Sequence, residues 1–212
     1  MRKLKLFIVV LFKSAVIYSQ PIIVKNDATQ VLFIGKDNPI TVSAKNFKPS
    51  SISVKVSTGS IEKIKGEGKY NWRICATNDS LAYVKIFAGS IYIDSISLRI
   101  LKIEEPYISL FPRVHCRSGF SIRPRKGVIA SFNDEYLYKN TSCKVLGFDV
   151  SLTIEGQVYQ FKNEGAAFDE KILKLLARSK DGDLLIIDNI KTQVGCETSP
   201  RKSTESLILY SQ

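Results

Sequence analysis

Ser51-Ile52-Ser53-Val54-Lys55-Val56-Ser57 alternates apolar and polar side chains at every step, and Ser95-Ile96-Ser97-Leu98-Arg99-Ile100 repeats the pattern. A period of two places one set of side chains on each face of an extended strand, so each stretch reads as a half-buried β-strand. Tyr70, Trp72 and Ile74 form a third such set, and Ala82, Val84 and Ile86 a fourth. Turn-forming residues separate these runs: Asp37-Asn38-Pro39, Thr58-Gly59, Gly66-Glu67-Gly68, Asn78-Asp79 and Ala88-Gly89. Short strands at this spacing, with no helical period between them, predict an antiparallel sandwich of about seven strands. Trp72, in mid-strand, is the expected core pin.

Outward from this region, the pattern changes at Glu104-Glu105-Pro106. Proline cannot donate to a ladder and paired carboxylates prefer water, so a boundary is expected there. Beyond it, residues 112–127 are irregular and basic, and strand patterns resume at 128–132, 145–154, 158–161, 184–190 and 206–210. Residues 168–178 carry the one helical stripe, Ile172, Leu175 and Leu176. Asp169 and Glu170 stand at its start, and Lys174 and Arg178 toward its end, as the helix dipole favours. Residues 192–204 read as a long loop. The fold class expected is therefore mainly β. Residues 21–105 and 106–212 form two tandem immunoglobulin-like sandwich domains, the second with one short helix.

Residues 1–20 read as a signal peptide. Arg2, Lys3 and Lys5 precede an apolar run over 6–12, and Ser14, Ala15 and Ser19 supply small residues near a cut. The run is too short to span a bilayer, and Lys13 interrupts it; a buried N-terminal strand is the competing reading. The formal charge of the 212 residues is +11, and without the four basic residues of the first twenty it falls to +7. That excess, with no basic-aromatic interleaving, fits a solvated β surface better than a nucleic-acid-binding face.

Chemistry-bearing patterns are sparse. His115 is the single histidine, which rules out multi-histidine metal sites, and its neighbour Cys116 lies on the opposite side of any extended chain. Asp134-Glu135 and Asp181-Gly182-Asp183 are acidic pairs without the ligand count of a calcium loop. No phosphate-binding or nucleophile-elbow motif occurs. The expectation is a protein that is not an enzyme and has no cofactor or metal. The candidate partner-binding residues are Arg113, Arg117, Arg123, Arg125 and Lys126. The cysteines at 75, 116, 143 and 196 match no CxxC pattern. They leave open free buried thiols or one bridge, with Cys116, Cys143 and Cys196 as its candidates and Cys75 as partner for any left over.

Five segments in order resemble the two C-terminal periplasmic domains of the GldM family of gliding-motility and type IX secretion proteins of Bacteroidota. They are 31–40 (Val-Leu-Phe-Ile-Gly-Lys-Asp-Asn-Pro-Ile), 98–106, 127–132 with 144–151, the helix 168–178, and the strand 182–190. The resemblance implies immunoglobulin-like units in a periplasmic rod, envelope-protein partners and dimer formation. The family's N-terminal motor region with its transmembrane helix is expected to be missing, the signal peptide standing in its place. The function expected is then an accessory or adaptor of that machinery, exported to the periplasm, with no transmembrane segment in the mature chain. The alternative is a cell-surface adhesin or carbohydrate-binding sandwich, for which Tyr136 and Tyr138 are the candidate exposed aromatics.

Overall fold

The computed structural model describes residues 22–26, 31–111, 126–133, 138 and 141–211. The segment 1–20, Arg113, His115, Cys116, Arg117, Arg123, Arg125, Asp134, Glu135 and Tyr136 lie outside them. The protein is mainly β with one short helix, and no helix among the described residues is long and apolar enough to cross a membrane.

In the first half, β1 (Ile22–Asn26), β3 (Asp37–Ala44), β6 (Lys69–Arg73) and β5 (Ser60–Lys63) form one sheet in the order β1-β3-β6-β5. The facing sheet runs β2-β8-β7-β4, from β2 (Val31–Ile34), β8 (Ile91–Lys102), β7 (Leu81–Ala88) and β4 (Ile52–Val56). Among the described residues only the β2–β8 pair is parallel. The alternating apolar sets meet between the sheets, where Trp72 is fully buried with Ile52, Val84, Ile86 and Ile100. The polar ends of the two aromatic residues carried into this core have partners, as burial demands. Trp72 Nε1 donates to the Thr58 carbonyl at 2.8 Å, and the Tyr70 hydroxyl donates to the Ile52 carbonyl at 2.9 Å, tying one sheet to the other.

The turn expected at Asp37-Asn38-Pro39 lies two residues earlier, at Gly35-Lys36, and β3 already begins at Asp37. Asn38 causes the shift. Its side chain is buried, its Oδ1 accepts from Phe33 N–H at 2.7 Å, and its amide donates to the carbonyls of Phe33, Lys36 and Trp72 at 3.0–3.1 Å. An asparagine that substitutes for backbone partners in this way builds a turn from inside a strand.

The second half centres on one antiparallel sheet, β12 (Gln157–Glu164), β11 (Cys143–Ile154) and β13 (Leu184–Val194). Both β14 (Arg201–Lys202) and β15 (Leu207–Tyr210) pair with the far side of β13. The ribbon of β9 (Tyr107–Phe111) and β10 (Gly127–Ser131), with helix α1 (Glu170–Arg178), supplies the other side of the core. Ile108, Leu110, Val128, Ile172 and Leu176 bury against Phe148, Val150, Leu152 and Ile187. The helix begins two residues later than its stripe suggests. Phe168 is drawn into the core, and Asp169 becomes the cap, its Oδ1 accepting Ile172 N–H at 2.8 Å. Asn163 on β12 holds the approach, accepting Asp169 N–H at 2.9 Å and donating to the Ala167 carbonyl at 2.8 Å.

Candidate functional site

Two buried clusters flank residues 103–106, and a third cluster joins them. Phe33 and Ile103 pack with Tyr138 and Val194, backed by Val31, Phe132 and Cys143. The Tyr138 ring meets Phe33 edge-on at 6.0 Å and Phe132 at 4.8 Å. Beside this seam a second-half side chain binds first-half carbonyls. Arg201 Nη1 donates to the carbonyls of Ile103 at 2.7 Å and Glu104 at 3.0 Å. The same guanidinium holds Glu197 in a two-pronged pair, Nε to Oε2 at 2.8 Å and Nη2 to Oε1. Only 17% and 11% of these two side chains are exposed, so the pair acts in a partly dry setting where bidentate geometry counts most.

The tip of the turn after β13 also docks on the first half. Cys196 N–H donates to the Gly35 carbonyl at 3.0 Å, and Gly195 N–H reaches Ser142 at 2.8 Å. Gly195 has φ +48°, and a Cβ there would fall 1.6 Å from the Gly35 carbonyl oxygen, so only glycine permits the approach. Beside it a Cys75–Cys196 disulfide closes the joint, spanning 121 residues with Cα atoms 5.1 Å apart.

Two expectations are corrected here. The bridge does not form within the second half: Cys196 pairs with Cys75 across the two halves, and the Cys143 thiol is free. The end of β6 and the turn after β13 are brought together by tertiary packing that spacing cannot report. Burial pushes the Cys143 thiol up to about 11, with Arg201 pulling it down and Glu197 up to smaller extents. Residues 103–106, where a boundary is expected, separate β8 from β9: Glu104 and Glu105 are exposed, Ile103 and Pro106 are buried, and Arg201 binds the carbonyls of Ile103 and Glu104. Residues 192–204 are no free loop, because β13 runs to Val194 and β14 returns at Arg201. A disulfide of this kind belongs to a chain that folds in an oxidising compartment.

Of the basic candidates, Lys126 alone lies among the described residues. It is exposed at the base of the β9–β10 ribbon, and its carbonyl accepts Phe168 N–H at 2.9 Å. Arg113, Arg117, Arg123 and Arg125 belong to the connection leaving the paired residues Phe111 and Gly127. Tyr138, a candidate exposed aromatic, is 5% exposed and belongs to the seam. Exposed rings stand elsewhere among the described residues: Tyr83 and Tyr92, 46% and 54% accessible on β7 and β8, with Tyr107 on β9 and Tyr210 on β15. Their place in alternating strands was legible, but their outward direction was not singled out.

Of the acidic pair at 181–183, Asp183 is buried and builds the corner, accepting Glu155 N–H at 3.0 Å and Lys180 N–H at 2.7 Å, while Asp181 is exposed. A groove of about 390 Å³ crosses β11, β12 and β13, lined by Asp149, Gln160, Lys162, Asp188 and Asn189. Ser151 also lines it, and Asn189 donates to Asp149 Oδ2 at 2.8 Å there. Among the described residues no group of three or more His, Cys, Asp or Glu is placed to hold a metal ion.

No protein-family model matches the chain, and no curated protein matches it. Among solved structures, the Yersinia pseudotuberculosis adhesin InvE is similar over 92% of this chain at 8% identity and a TM-score of 0.30. The match covers 59% of the InvE chain.

Proposed function

We propose that this is a non-catalytic binding module of the bacterial envelope, exported to the periplasm and acting as an accessory or adaptor of the gliding and type IX secretion machinery. The joint is the observation that carries this reading. A disulfide, a partly buried ion pair and an aromatic seam hold the two halves in one arrangement. Such a joint suits a part that transmits position between partners, whereas an enzyme that closes on substrate needs its hinge free. In this reading the first half is an immunoglobulin-like sandwich, supported by its strand order. Lettered in chain order with β1 and β2 as A and A′, the sheets read A-B-E-D and A′-G-F-C. The segments that resemble the GldM family fall on β2–β3, the end of β8 with the joint, β10, β11, α1 and β13.

The partner contact is assigned to the second half, through Arg113, Arg117, Arg123, Arg125 and Lys126, where arginine can anchor acidic envelope proteins. The test is a crosslinking pull-down from the envelope of the producing bacterium, scored for secretion and gliding components. Reversing the four arginines to Glu should leave the melting temperature nearly unchanged and reduce capture to the level seen in high salt. Unchanged capture with unchanged salt dependence would reject the assignment.

A further inference from the structure

The outward face of β4, β7 and β8 carries a charge pattern that the fold does not resolve by itself. Lys55 on β4 stands directly opposite Lys85 on β7, and like charges in that register cost stability. Neither lysine, nor Arg99 further along β8, makes an ion pair among the described residues. The three strands hold a single carboxylate, Asp94. It pairs in register with the core residue Ile86 and accepts its neighbour Ser95 N–H at 2.7 Å. The face thus offers cations without acids, and an anion is what would repay the repulsion.

Aromatic rings bracket this charge. Tyr83 and Phe87 lie on either side of Lys85 along β7, on the same face. Tyr92 meets Phe87 edge-on at 5.7 Å, and the Lys55 ammonium lies 5.5 Å from the Phe87 centroid. Ser53, Ser95 and Ser97 fill the outward positions between them. A centre of lysine and serine is the composition that protein–protein interfaces avoid. A chain of formal charge +7 without its first twenty residues also repels a second copy of itself at a basic face. We propose that this face binds an acidic polysaccharide, its carboxylates on Lys55, Lys85 and Arg99 and its sugar rings against Tyr83 and Tyr92. This site is separate from the second-half contact and does not depend on it.

The full chain, in its oxidised form, would be titrated by calorimetry at physiological ionic strength with polygalacturonate, neutral pullulan and polyglutamate. Polygalacturonate is expected to bind at least about tenfold more tightly than either control. Because any polyanion is drawn to a basic chain, the deciding variant keeps the charge: Tyr83→Ala with Tyr92→Ala should weaken polygalacturonate binding about tenfold. Tyr92→Gln alone, at the exposed start of β8, should show a smaller loss if the double variant does not fold. Lys55→Gln with Lys85→Gln should weaken binding similarly, while Lys63→Gln with Lys69→Gln on the opposite sheet should not. Three results would each overturn the proposal: equal affinity for polyglutamate, wild-type binding by the tyrosine variants, or a dimer in sedimentation that the tyrosine variants dissolve.

Discussion

At the joint Arg201 meets a carboxylate and two carbonyls in a setting that is nearly closed to water, whereas on the face of β4, β7 and β8 Lys55 meets Lys85 in the open. Both places hold a cationic side chain on a strand. They differ in what surrounds the charge. A dry cation must be paired or its desolvation cost is unmet, so the joint is fully partnered. A wet cation is screened, so a repulsive pair can persist there at small cost. Stability is therefore concentrated at the joint, and the open face is left free for a ligand.

The comparison breaks most plainly at the disulfide. Replacing Cys75 and Cys196 by Ser, or reducing the bridge, removes a constraint on a loop of 121 residues. By the chain-entropy model this costs about 5 kcal/mol. Denaturant unfolding of oxidised and reduced protein measures it, and coincident midpoints would show that the bridge adds nothing to the seam. Next in size is Arg201→Ala, which strands Glu197 and the carbonyls of Ile103 and Glu104; a loss of about 3 kcal/mol is expected. Arg201→Lys should recover only part of it, because a lysine cannot make the two-pronged contact. Full recovery would reduce the role of Arg201 to simple charge. The smallest effect is of opposite sign. Lys85→Glu turns the repulsive pair on the open face into an attractive one and keeps Lys55 over Phe87, so a gain of about 0.5 kcal/mol is expected. A loss of stability there would mean that the lysine pair is already compensated, and the contrast between the two regions would fail.

Much of this fold was legible from short-range pattern. The strands around Val54, Trp72, Val84 and Leu98 and the stripe Ile172–Leu176 were all readable, because a side chain's direction is set by its own period of 2 or 3.6. The sheets' inward faces follow from the same rule. Less legible were positions where a side chain replaces a backbone partner. Asn38 moved a turn by two residues, and Asp169 took Phe168 out of the helix, since capping depends on which groups are left unpaired.

The candidate sites divide the same way. Composition and alternation by themselves determined a mainly β chain with one helix, a basic surface and little to support catalysis. Only the tertiary structure decided that Cys196 joins Cys75, that Arg201 and Glu197 seal the halves, that Tyr138 is buried and that Tyr83 and Tyr92 face solvent. The physical reason is distance along the chain. Alternation is fixed by neighbours one and two residues apart. The joint brings together residues about a hundred apart, and what they meet depends on how two finished cores pack.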